Sequence, residues 1–423
     1  MKLGERWQAW VLRSSDEDAE RAAVLRVAFF GVLAVDCWEN IAHLGRYGAG
    51  HFNVSHIPWA DALLPAPESS WFLVLVLSQV FLSLRAALGI ALRQTLPLLA
   101  LSYSVTYFWS QLDSYQHHYL VAVLLWIFAA GVLLERRDSL PAWSLRGAGA
   151  MVSVLYFWAA VAKADPLWLD GQTLSTQITP DWARAILDGH YAQAAWAVLV
   201  AELALAVAWQ VRRAWPFALV VGLSLHLGIE VLDFKIGVFS YFMVALYSLL
   251  LPASWLRGLC SAARSWLPEA APARTWERGL SAAVVALGWA LLPFQTAAWV
   301  SALAVASIAL WGPLSRTQVV LQGLSVLLLH LAHDQSDIAR DYYRYIGGDT
   351  RRRGQVEEAI EAYSQVTRLD PTYVSGHVRL GDLYARQGEW ERALAEYEAA
   401  QALEPQNPEL PARLSEAALN ARP

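Results

Sequence analysis

Residues 117–134 read His117-His118-Tyr119-Leu120-Val121-Ala122-Val123-Leu124-Leu125-Trp126-Ile127-Phe128-Ala129-Ala130-Gly131-Val132-Leu133-Leu134. After the two histidines no charge appears for 16 residues, and Glu135-Arg136-Arg137 then close the run. A helix rises about 1.5 Å per residue, so such a run nearly matches the hydrocarbon core of a bilayer. Comparable runs lie near 23–40, 71–92, 95–112, 147–164, 192–211, 214–232, 236–255, 279–292, 295–311 and 317–332. Eleven runs in succession exceed what one soluble core would bury. The expected fold is all-α: a polytopic helical membrane protein.

Composition agrees. The chain has 423 residues, 56% hydrophobic and 16% charged, against about 25% charged in soluble domains. Of its 69 charged residues, 27 fall in the last 90. An apolar body over 23–333 therefore follows an N-terminal segment, 1–22, and carries a charged tail, 334–423. An ordinary soluble enzyme and a secreted disulfide scaffold are excluded. A net charge of −5 argues against a nucleic-acid partner.

Basic residues in short loops orient the body. Arg21, Arg26, Arg93, Arg136, Arg137, Arg146, Arg212, Arg213, Arg257 and Arg264, with Lys2, Arg6 and Arg13, alternate to one side. That side is expected to be cytoplasmic, with the N-terminus on it, in a bacterial inner membrane. The first 22 residues are charged and lack an apolar h-region, so no cleavable signal peptide is expected. The opposite side receives His43, His51, His56, His117, His118, Lys163, Asp165, His190, Glu230, Asp233 and Lys235. Cys37 and Cys260 fall at opposite faces and are not expected to pair.

The tail repeats at an offset of 34. Gly347 maps to Gly381, Gly354 to Gly388, Ala359 to Ala393, Tyr363 to Tyr397 and Pro371 to Pro405. The period and pattern resemble the tetratricopeptide repeat, a helix–turn–helix unit. Residues 406–420 then form a capping helix. Two readings stand side by side: a docking surface for a peptide or protein, and a structural cap or dimerisation element that leans on the body or on another subunit.

Two segments of the body carry a further resemblance. One is Tyr156-Phe157-Trp158-Ala159-Ala160-Val161-Ala162-Lys163-Ala164-Asp165, continuing to Trp168 and Gly171. The other is Ile236-Gly237-Val238-Phe239-Ser240-Tyr241, preceded by His226 and followed by Pro252 and Trp255. With the echoes Gln116-His117-His118-Tyr119-Leu120 and Leu292-Pro293-Phe294, residues 20–300 resemble the vitamin K-dependent gamma-glutamyl carboxylase family, in its bacterial superfamily. The chain departs from the animal enzymes at two points. Ala162 stands where they place a second lysine, and the repeat tail stands where they have a large soluble domain.

The resemblance implies that a lysine, here Lys163, deprotonates reduced vitamin K or menaquinol. The quinol then reacts with oxygen to give a strong base and an epoxide, and carbon dioxide adds to a peptide glutamate. It implies that His117 assists the lysine and that no metal is needed. A lysine serves as such a base only when neutral, which desolvation favours; arginine stays protonated. Only three of the 32 basic residues are lysines, Lys2, Lys163 and Lys235, so a lysine at the end of an apolar helix is pointed. Asp165, Trp168, His226, Tyr241 and Phe294 are the expected quinone-binding residues. Intramembrane polar groups are costly and face cavities or partners, and Glu202 and Glu230 are further examples, with no assigned role. The bland reading of Lys163 is an interfacial cation paired with Asp165. A metal site is not expected, because no cysteine or close carboxylate–histidine spacing supports one. The competing function is a non-catalytic membrane protein that presents its tail to a partner.

Overall fold

The computed structural model describes residues 16–47, 53, 54, 57–63, 66–110, 116–234, 236–266, 271–332 and 335–421. Expectations about Lys2, Arg6, Arg13, His51, His56 and Lys235 lie outside the described residues. In the body the longer helices are α1 (Asp16–Asn40), α2 (Ser69–Leu88), α3 (Leu92–Trp109), α4 (Gln116–Leu134), α5 (Ala142–Ala162), α6 (Tyr191–Ala208), α7 (Trp215–Val231), α8 (Phe239–Tyr247), α9 (Ala253–Trp266), α10 (Thr275–Ala290), α11 (Gln295–Ala309) and α12 (Arg316–Ala332). The tail comprises α13 (Gln335–Arg352), α14 (Val356–Leu369), α15 (Val374–Arg386), α16 (Trp390–Leu403) and α17 (Leu410–Asn420). The fold is all-α, as expected.

Among the described residues, five helices are long and apolar enough to cross a membrane: α2, α4, α5, α6 and α7. A sixth is reached if α8 and α9, bent by 108°, form one span. The eleven apolar runs divide for physical reasons. α1 carries Arg21, Arg26 and Asp36, and α3 opens on Arg93 and holds Pro97. Helices α10, α11 and α12 are 16, 15 and 17 residues long. They form a smaller bundle against α2, tied by Arg85. This buried arginine donates to Gln322 and, at 3.1 Å, to the Trp311 carbonyl, while Gln322 donates to Ser281 at 3.2 Å.

The body has two distinct ends. At the arginine end, Arg21 donates to the Leu249 carbonyl at 3.0 Å and Arg212 meets Glu17 at 2.8 Å. At the other end lie the 3-10 turn Ile41–Arg46, the start of α4 with His117, and the end of α5 with Lys163. The antiparallel run of α4 and α5, joined across residues 135–141, brings those two residues to one level.

The tail is seated on this histidine end. Gly45 abuts the backbone of Tyr342, and Tyr345 stacks with His43 at 6.0 Å and under Arg46 at 5.5 Å. Phe294 meets Tyr342 edge-on at 5.5 Å. The 34-residue offset is visible in space. A β-carbon on Gly347 would stand 2.8 Å from the Tyr363 ring, and one on Gly381 would stand 2.5 Å from the Tyr397 ring. Ala359 and Ala393 are fully buried.

One tail pair makes stability depend on pH. His377 Nδ1 lies 2.7 Å from a Glu396 carboxylate oxygen, and that hydrogen bond raises its pKa from the ordinary 6.5. A raised folded-state pKa stabilises below the unfolded value, and the gain is lost as pH rises through the folded value. Wild type should therefore exceed His377→Gln in melting temperature by more at about pH 5.5 than at about pH 8.5. Equal differences in thermal scans would refute the pair's contribution.

Candidate functional site

Lys163 closes α5, at a helix C-terminus where a cation is favoured. Its Nζ lies 2.8 Å from Glu202 Oε1 on α6 and 5.2 Å above the Trp168 ring. The lysine side chain is 23% exposed and the glutamate 8%, so the pair is buried but open to a small ligand at its amine. The partner is thus Glu202, not the neighbouring Asp165. Asp165 instead caps the short helix Pro166–Leu169, accepting from Leu167 N at 2.9 Å and Trp168 N at 3.2 Å. Pro166 fits there because a first-turn position needs no N–H. The cap fixes Trp168, whose Nε1 donates to the Ala195 carbonyl at 3.2 Å.

One helical face of α5 carries Tyr156, Ala160 and Lys163. Tyr156 is fully buried, with its hydroxyl 2.8 Å from both His226 Nε2 on α7 and the Tyr247 hydroxyl on α8. Tyr247 reaches this node because α7 has a glycine opposite it. A β-carbon at Gly222 would collide with the Tyr247 hydroxyl and ring. Gly222→Ala should displace Tyr247 and break the triad. Overpacking of this kind costs about 1–3 kcal/mol, read as a lower unfolding midpoint, and an unchanged midpoint would contradict the contact.

Phe239 links the two halves of the site. It lies 5.7 Å from His226 and 6.4 Å from His117, which also faces Phe242 at 5.9 Å. His117 is therefore one aromatic layer from His226, while the groups set against the Lys163 amine are Glu202 and Trp168. It lies 3.9 Å from Asp36 on α1, and its ring lies 4.2 Å from that of His118. One ligand atom each from Asp36, His117 and His118 lie within 4.8 Å of one another, all buried. The sequence hid this group because Asp36 is on a different helix.

Two expected site residues fall elsewhere. Tyr241 is 54% exposed, beside the buried Ser240 and Phe242. Phe294 is buried against Tyr342 and belongs to the tail joint. Three residues that the sequence did not single out for the site join it: Tyr156, Glu202 and Tyr247. A lone carboxylate in the apolar run 192–208 was the signal for Glu202, but only folding sets α5 beside α6 and so names its partner.

Polar atoms are left over at the centre. Glu202 Oε2 and His226 Nδ1 are buried with no hydrogen-bond partner among the described residues. Such atoms are costly unless something supplies the missing bond. The Glu202 oxygen belongs to the Lys163–Trp168 group and the His226 nitrogen to the Tyr156–Tyr247 node beside Phe239.

The class is thereby defined: a helical membrane protein with a polar centre at one end of its bundle and a tetratricopeptide stack seated there. The HTTM domain matches residues 15–255, more than half the chain, and the protein belongs to that family, which is related to the vitamin K-dependent carboxylases. Tetratricopeptide repeats match residues 349–388 and 374–407.

Proposed function

We propose that the protein oxidises or epoxidises a reduced naphthoquinone, menaquinol or vitamin K hydroquinone, with Lys163 as base. The Lys163–Glu202 pair carries this reading. Proton transfer from the ammonium to Glu202 inside the pair leaves a neutral amine without separating charge. That amine takes a proton from a quinol hydroxyl. The quinol, when bound, would supply the acidic hydroxyl and the electrons, and dioxygen would accept those electrons. Trp168 and Phe239 bound a ring, and the His226–Tyr156–Tyr247 triad offers a hydrogen bond to its second oxygen. His117, behind Phe239, holds that wall. Carboxylation of a peptide glutamate is the coupled reaction to examine, since the tail sits at the Lys163 end. Loop arginines favour a cytoplasmic N-terminus and a histidine end outside, and the family resemblance favours a bacterial inner membrane.

The test is product formation from menaquinol or vitamin K hydroquinone in oxygen, using the purified protein. Absence of both quinone and epoxide above a protein-free control refutes the reading. A second reading rests on the tail: a non-catalytic membrane protein that docks a partner on its repeats. In that case loss of 354–423, and not loss of Lys163, abolishes function.

A further inference from the structure

We infer that Asp36, His117 and His118 bind a divalent first-row transition metal ion. Asp36 is 5% exposed, on a helix packed inside the body. Its Oδ2 is buried and accepts no hydrogen bond among the described residues. A buried carboxylate so placed needs a countercharge. No lysine or arginine forms an ion pair with it among the described residues; the side chains set against it include His117, at 3.9 Å, and His118. Two imidazoles and one carboxylate are a donor set for zinc, iron or cobalt rather than magnesium or calcium.

Distances are compatible. Metal bonds of about 2.0–2.2 Å put tetrahedral ligand atoms roughly 3.4 Å apart. The present spread, 3.9 Å between His117 and Asp36 and at most 4.8 Å across the group, closes with small side-chain rotations. Three protein ligands leave at least one position open. His118 also lines a cavity of about 50 Å³ with Cys37, Gln79, Tyr103 and Thr106, and that volume holds one or two waters. An ion here would therefore carry a water in a polar cavity, behind Phe239 and apart from the Lys163–Glu202 pair. The inference stands whether or not the protein oxidises quinols.

Full-length protein in detergent, stripped with a chelator and titrated with cobalt(II) chloride, gives the test. One cobalt per chain with visible d–d absorption is expected. His118→Gln and Asp36→Asn should each weaken binding by at least roughly 100-fold, the upper range for loss of even an outer-sphere partner. His190→Gln, an exposed histidine outside the group, should bind like wild type. If Asp36→Asn does not fold, His118→Gln alone decides. No uptake by wild type, or uptake that survives His118→Gln, overturns the site. So does uptake lost in His190→Gln.

Discussion

Lys163→Ala should lower quinol oxidation by about 10²–10⁴-fold, the usual contribution of a positioned base. Lys163→Arg should lower it nearly as far, and this second variant discriminates. Arginine can keep the ion pair to Glu202, and with it the packing of α5 on α6, but it cannot give up its proton. A rate retained in Lys163→Arg would mean that the site needs only a cation, and the base assignment would fail. Glu202→Gln separates the roles further. It removes the acceptor inside the pair while keeping the shape, so loss of turnover with binding unchanged is expected. Initial rates at saturating quinol, with both quinone and epoxide quantified, provide the measurement.

Gly45→Ala should release the tail from the body. The new β-carbon collides with the Tyr342 carbonyl oxygen and lies 3.0 Å from the Tyr345 β-carbon. A backbone atom cannot swing away as a side-chain tip can. The cost therefore belongs at the upper end of the roughly 1–3 kcal/mol that overpacking imposes, or beyond it. Limited trypsin digestion should show it, through faster cleavage at Arg340 and Arg344, both on the seated helix α13. The body helices should remain intact. Digestion at the wild-type rate would mean that the joint tolerates a methyl group and that its fit is looser than described.

Much of this architecture was legible before any coordinates. Uninterrupted apolar runs such as 119–134 dictate membrane helices, because only a helix satisfies its own backbone in lipid. The tail was legible because a repeat states the same contact twice: Gly347 against Tyr363, then Gly381 against Tyr397. The count of crossings was less so. Hydropathy sees the apolar run but not that α10–α12 are short and pack against α2 as a bundle of their own. In the site, the Tyr156–Trp168 segment announced Lys163, because its spacing is local. Its partner was invisible, since Glu202 is set opposite by the packing of α5 on α6. Asp165 looked the nearer choice, yet a carboxylate before Pro166 has local work to do at a helix start. Tyr247 was hidden for a related reason: its place depends on the missing side chain of Gly222, one helix away. Phe294 was misplaced because its motif resembles the family's while its surroundings here are those of the tail joint.

Helix α13 is at once the last contact of the body and the first helix of the repeat stack, and no slack segment separates the two roles among the described residues. A leash lets its cargo search a volume, and the gain in local concentration falls as the leash lengthens. A joint of the kind made by Gly45, Phe294 and Tyr345 behaves as a jig instead. Anything gripped by α14–α17 is presented at a set bearing to the histidine end of the bundle. Shifting the joint by one helical turn would alter which part of a gripped chain faces Lys163, with no change in how tightly it is gripped.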